Sequence, residues 1–233
     1  MNIEECKEKV DKIIKHRVAE RVPVDWLYQY GVEHFYVAGN SLNRGKPHDI
    51  DIFPTTRIGF NYIEDKEIEG KILLKTKNAL TIKTQDGCII QFCNYYHKSL
   101  EELVDSFDFA HIQIGVEINL KHSDNPLRKI YYSNEWITSN MVRSTWYTHS
   151  EYPLSSLIRT IKYIRYGDFS GKSYLPTIFA ILIDLIKRGF NNYKDFKDQL
   201  DAVDLGIVDK DLEGCNLIEL FNLLDNNKRE KEE

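Results

Sequence analysis

Apolar residues recur at helical spacing over residues 3 to 18, where Ile3, Cys6, Val10, Ile13 and Ile14 share one face and charges fill the other. After Pro23 a second short helical segment runs from Trp26 to Tyr30, and Gly31 punctuates it. The pattern then tightens to strand length. His34 to Ala38 is a short apolar strand, and Asp49-Ile50-Asp51-Ile52-Phe53 alternates acid and aliphatic. A loop follows from Pro54 to Gly70. Lys71 to Thr76, Ala79 to Thr84 and Cys88 to Cys93 read as three strands, separated by Lys77-Asn78 and by Asp86-Gly87, a strong hairpin signal. Ser99-Leu100-Glu101-Glu102 has the form of a capping box opening a helix through Val104. Phe107 to Ile118 reads as one long buried strand, and Lys121 to Arg128, with Asp124-Asn125-Pro126, as a surface loop.

The stretch from Asn140 to Ser150 is polar and carries no clear period. From Pro153 onward the spacing is helical. Leu154, Leu157, Ile158, Ile161 and Ile164 form the apolar face of one helix, ended by Gly167. Thr177 to Lys187 forms a second, more deeply buried helix, with Pro176 near its start and Gly189 beyond its end. Two amphipathic stretches, Tyr193 to Val203 and Asp209 to Leu224, complete a helical region, and the charge run Asn226 to Glu233 reads as a frayed tail.

With 233 residues, 42% hydrophobic and 29% charged, the chain suits a soluble globular protein with an ample core. A net charge of −5 argues against a polycationic nucleic-acid binder, while leaving room for a local basic surface. Cys6, Cys88, Cys93 and Cys215 have neither zinc-ligand spacing nor a secreted disulfide framework, which fits reduced thiols in the cytoplasm. The first residues lack the regions of a signal peptide, and no apolar run approaches membrane-spanning length.

The candidate chemistry lies between the first two strands. Val37-Ala38-Gly39-Asn40-Ser41 ends a strand in a small-residue turn; a basic loop with Arg44 and Lys46 leads to Asp49 and Asp51. Side chains two apart on a strand share a face, so these aspartates form a carboxylate pair while Ile50 and Ile52 enter the core. Paired carboxylates suit a hard divalent cation shared with substrate phosphates, Mg²⁺ or Mn²⁺. The Gly39 turn can offer backbone N–H groups to those phosphates, with the Ser41 hydroxyl as a further donor. This is a layout for in-line phosphoryl or nucleotidyl transfer. An isolated Asp-x-Asp also arises by chance or as edge-strand charge; strand, turn and spacing together favour the site.

These residues resemble the DNA polymerase β-like nucleotidyltransferase superfamily, whose signature is an apolar residue, Gly-Gly or Gly-Ser, a short helix, then Asp-x-Asp. Gly39 matches the first glycine, Asn40 replaces the second residue, and Ser41 follows one position late. The resemblance implies a third carboxylate from a neighbouring strand, and there this chain has Gln91, which cannot take a proton and is a weaker metal ligand. Gln91 reads either as a hydrogen-bonding partner of a base or ribose, or as a structural residue. Ser106-Phe107-Asp108-Phe109-Ala110-His111-Ile112 resembles the Arg-Arg-Asp-Phe motif of class II tRNA nucleotidyltransferases and bacterial poly(A) polymerases, without the arginines. Asp108 is then the missing carboxylate or a buried structural aspartate, which must be paired. Pro153-Leu154 with Leu157, Arg159, Lys162, Tyr163 and Gly167 resembles the neck helix of those enzymes. Arg159 and Lys162 face either a triphosphate or solvent. Short phage-encoded nucleotidyltransferase-like proteins look similar too.

The resemblance therefore implies an α+β fold: a nucleotidyltransferase head (1–125) of mixed sheet and helices, a mostly helical C-terminal domain (126–225) and a charged tail (226–233). It implies an NTP as substrate, an RNA, protein or small-molecule hydroxyl as acceptor, and a cytoplasmic setting, that of the host if phage-encoded. The contrary expectation is a catalytically degenerate fold serving as a structural or interaction protein, for example in a phage assembly.

Overall fold

In a computed structural model, residues 3–43, 49–58, 68–76, 78–122 and 125–201 are described, together with positions 60, 63, 216, 218, 219, 221 and 222. The contacts divide the chain into two compact units, Met1–Asn140 and Met141–Glu233.

The first unit is a seven-stranded mixed sheet with helices on both faces. Its strands are β1 (His34–Ala38), β2 (Ile50–Pro54), β3 (Lys71–Lys75), β4 (Ala79–Lys83), β5 (Ile89–Cys93), β6 (Ile114–Asn119) and β7 (Leu127–Tyr132). They lie in the order β3-β4-β5-β2-β1-β6-β7, and the β2–β5 pair alone is parallel. One face, with Phe35, Val37, Ile50, Ile52, Ile90, Phe92 and Val116, packs against Ile14 and Val18 of α1 (Ile3–Arg21) and Leu27 of α2 (Val24–Gln29). Ile13, expected on the same face of α1, is instead exposed. The opposite face, with Tyr36, Ala38, Phe53 and Cys93, packs against Leu100, Leu103 and Val104 of α3 (Leu100–Asp105).

The local signals explain several of these elements. Ser99 Oγ accepts the Glu102 N–H at 3.1 Å, while the Glu102 carboxylate reaches back to the Lys98 N–H at 2.9 Å, so the capping box forms one residue longer than its usual reciprocal pattern. Gly87 takes φ +88° in the β4–β5 turn, and Gly167, at φ +75°, closes α5 (Pro153–Tyr166).

Four expectations change. Residues 107–118 are not one strand: a 3₁₀ turn at Ala110–Ile112 interrupts them, with Gln113 Nε2 bonding the Phe107 carbonyl, and only Ile114 onward joins the sheet. The head also continues past residue 125, because β7 pairs with β6 and α4 (Asn134–Val142) begins in the same unit. On α5 the buried residues are Pro153, Ser155, Ser156, Thr160 and Tyr163, whereas Ile161 and Ile164 are exposed. The small hydroxyl side chains let α7 (Tyr193–Asp201) approach, and Ser155 Oγ bonds the Gln199 carbonyl. Helix α6 (Tyr174–Arg188) is not deeply buried either: Thr177 and Ile181 are its buried residues.

In the second unit α5 packs on α6, and Phe190, Phe196 and Leu200 cluster with Leu154, Ile158, Leu185 and Phe221. Most of the Asp209–Leu224 stretch and all of the 226–233 tail lie outside the described residues.

Gly115 sets the distance between α3 and the sheet. A Cβ there would stand 2.8 Å from both Leu100 Cδ1 and Val104 Cγ2 and 3.3 Å from Ala38 Cβ. A Gly115→Val variant is expected to lose about 1–3 kcal/mol of stability by overpacking. Urea unfolding measures this, and an unchanged midpoint would contradict this packing.

Candidate active site

Strand β1 ends at Ala38, and Gly39 turns the chain with φ +81°, a conformation that strains any residue with a Cβ. A 3₁₀ turn, Gly39–Leu42, follows. Space is not what excludes a larger residue at Gly39, since a Cβ there would meet Asp51 Oδ2 at 3.8 Å and the Phe107 ring at 3.9 Å. The carboxylate of Asp51 and the ring of Phe107 thus both lie on the side of the turn's first residue where a Cβ would project.

The turn is held from its carbonyl side. Arg17 Nη1 donates to the Leu42 carbonyl at 2.7 Å, and Arg21 Nη1 donates to the Ser41 and Asn43 carbonyls at 2.8 and 2.9 Å. Partial burial lowers the Arg21 pKa from its usual value, against the raising effect of Glu20. The Ser41 hydroxyl, expected to serve a phosphate, is buried and donates to the Ala38 carbonyl at 3.0 Å, so it braces the turn itself. Asn43, which the sequence did not single out, joins three segments. Its Nδ2 donates to the His111 carbonyl and, at 3.5 Å, to Asn40 Oδ1, while its Oδ1 accepts the Trp136 indole N–H at 3.0 Å. A buried asparagine with its amide satisfied on both sides fixes the turn against α4 and the Phe109–Ile112 segment.

Across the sheet, Asp51 lies in β2 with Asp49 just before the strand begins, and both are half-buried. Ile50 and Ile52 point into the core as their alternation requires. The parallel ladder pairs Asp51 with Gln91, and the β4–β5 ladder pairs Gln91 with Thr81. Asp51, Gln91 and Thr81 thus form one row on the same face of three adjacent strands. Gln91 neither caps a strand nor stands out in solvent: its Nε2 donates to Thr81 Oγ1 at 3.2 Å, and its Oε1 accepts a weak bond from Cys93 Sγ at 3.7 Å.

Asp108 is buried in the segment between α3 and β6. Among the described residues no three His, Cys, Asp or Glu side chains gather as a metal-holding group. The aromatic neighbours of Asp108 have the clearer role: Phe107 meets Phe53 edge-on at 6.0 Å as well as lying against Gly39, and Phe109 is fully buried. Arg44 and Lys46 lie outside the described residues. Arg159 and Lys162 are half-buried on α5, in the second unit.

Two measurements test this scaffold. Arg21→Met removes two charge-assisted bonds and is expected to cost about 2–3 kcal/mol by denaturant unfolding. Burial holds the His111 imidazole neutral, its pKa down at about 3. An unfolded histidine titrates near 6.5, so below that pH the unfolded state takes up the proton first, and stability falls as pH drops from about 6.5 toward 3. In His111→Gln that portion of the pH dependence should disappear, as unfolding midpoints at pH 7 and 5 would show.

No family model and no curated protein matches the chain. Solved structures do. A CCA-adding enzyme in complex with CTP superimposes with a TM-score of 0.51 at 14% identity, covering 82% of this chain and 51% of that one. The Thermotoga maritima CCA-adding enzyme bound to tRNA gives 0.49 at 17% identity, over 91% of this chain and 54% of its own. This chain therefore spans about half the length of the structures it resembles. The likeness is one of fold, shared with part of the CCA-adding enzyme solved with CTP.

Proposed function

We propose that the protein is a nucleotidyltransferase that moves a nucleoside monophosphate from an NTP to a hydroxyl acceptor. The observation that carries this reading is that the Asp51 carboxylate lies on the side of the Gly39 turn where a Cβ would project, 3.8 Å from that position. It sets a hard-cation ligand beside a glycine turn whose carbonyls accept hydrogen bonds from two arginines. Two half-buried carboxylates supply the oxygen donors that Mg²⁺ shares with substrate phosphates, so Asp49 and Asp51 would hold that ion. Bound there, it would neutralise phosphate charge during transfer.

The sheet order supports an orientation for the reaction. Asp51 stands between the Gly39 turn at the end of β1 and Gln91 on β5. In an in-line displacement the acceptor oxygen forms its bond to the α-phosphorus opposite the bond to pyrophosphate that breaks. With the leaving pyrophosphate at the Gly39 turn, the acceptor hydroxyl enters from the side of Gln91 and Thr81. Gln91, steadied by Thr81, offers that hydroxyl a hydrogen bond and does not take its proton, which leaves to solvent. Arg44 and Lys46, which follow the turn in sequence, are the cations we assign to the triphosphate. The CCA-adding enzyme of similar fold was solved with CTP, which supports an NTP as the donor here.

A second reading rests on the same strand. A neutral residue in register beside Asp51 fits a fold that binds nucleotides, or partners, without transferring anything.

Calorimetric titration with each NTP and Mg²⁺ separates the two. Wild type is expected to bind in a metal-dependent way, and Asp51→Asn to weaken that binding at least about tenfold while remaining folded. A folded wild type that binds no NTP would sink the transferase reading. Gln91→Glu, which adds a carboxylate beside Asp51, is expected to tighten Mn²⁺ binding in the same titration.

A further inference from the structure

Helix α6 carries apolar side chains around most of its circumference. Thr177 and Ile181 are buried within the second unit, but Leu175, Phe179, Ile183 and Ile186 recur at steps of four, four and three along another stripe. That stripe is open to solvent, with Phe179 64% and Ile186 69% exposed. A soluble helix that is apolar all round has neighbours all round. The adjoining α5 shows the same imbalance. Leu154 and Ile158 are covered by the Phe190–Phe196–Leu200 cluster, while Ile161 and Ile164, further along the same stripe, are exposed.

We propose that this surface is the contact between two copies of the chain, with α6 of one packed antiparallel on α6 of the other across a two-fold axis. Between Lys172 and Lys187 the stripe has no charged residue; Asp184, the one acid in that stretch, is turned away and accepts a bond from the Tyr147 hydroxyl at 3.0 Å. A nucleic acid would require cations along its track; on α6 none lies between Lys172 and Lys187, and Arg165 is the cation beside Ile161 on α5. An uncharged apolar stripe is complementary to itself, which is what an isologous contact needs, and antiparallel helices set their dipoles in opposition. The six side chains Ile161, Ile164, Leu175, Phe179, Ile183 and Ile186 would withdraw about 600 Å² per copy, or about 1,200 Å² for the pair, the lower end of the range for specific interfaces.

The test is molar mass by light scattering and sedimentation of the full chain from about 1 to 100 µM. Wild type is expected to reach the dimer within that range. Phe179→Glu should stay monomeric throughout with unchanged helical circular dichroism, since the side chain it replaces is largely exposed. Ile72→Glu, at an exposed position on edge strand β3 of the first unit, should dimerise like wild type. A wild type monomeric at the highest concentration overturns the proposal, and so does a dimer that survives Phe179→Glu. The measurement is independent of nucleotide binding, so it stands or falls apart from the proposed activity.

Discussion

The arrangement of the first unit depends on the two-residue period of β2. Ile50 and Ile52 are committed to the main core, and that commitment alone decides that Asp51 emerges on the opposite face. A slip of one residue would drive a carboxylate into an aliphatic core and expose two isoleucines, a change too costly for the strand to adopt. Hydrophobic burial therefore does the positioning: the acid is placed by what its neighbours must avoid. Register then extends the effect sideways, because Gln91 and Thr81 are fixed by the same ladders that bury Phe92 and Leu80.

The turn beside Asp51 is secured by a different kind of interaction. A short 3₁₀ segment has little cohesion of its own. Here its carbonyls are tied to α1 by Arg17 and Arg21, and Asn43 ties it to α4 and to the segment before β6. Long-range hydrogen bonds from three segments thus converge on a few residues. The geometry next to the carboxylate is consequently a property of the whole unit, and changes in α1 or α4 should reach it.

Much of this was legible in the sequence because it is local or periodic. The Asp-x-Asp alternation, the Asp86-Gly87 hairpin, the Ser99 cap and the Gly167 stop each show in a few adjacent residues. What escaped was relational. Nothing near Arg17, Arg21 or Trp136 in the chain reveals that they hold the turn, since their partners are twenty or more residues away, although two arginines one turn apart on α1 were a signal of a kind. Strand β7, Leu-Arg-Lys-Ile-Tyr-Tyr, lacks clean alternation; its first two residues fall in the expected Lys121–Arg128 loop and the other four in no expected element. Helices α5 and α6 misled in the other direction. Their aliphatic residues are arranged as if for burial, yet α5 buries small hydroxyl side chains instead, because these allow α7 to come close.

The parallel pairing of β2 with β5 has a consequence for how the protein acquires its shape. A parallel neighbour cannot be reached by a tight turn, so the chain must leave β2, build the β3–β4–β5 meander, and only then lay β5 alongside. The row of Asp51, Gln91 and Thr81 is therefore one of the last things to exist during folding, closing a long loop whose entropy has to be overcome first. A growing chain emerging from a ribosome would hold both aspartates well before it held the strand that flanks them. The row that flanks Asp51 should therefore be completed in a single late step.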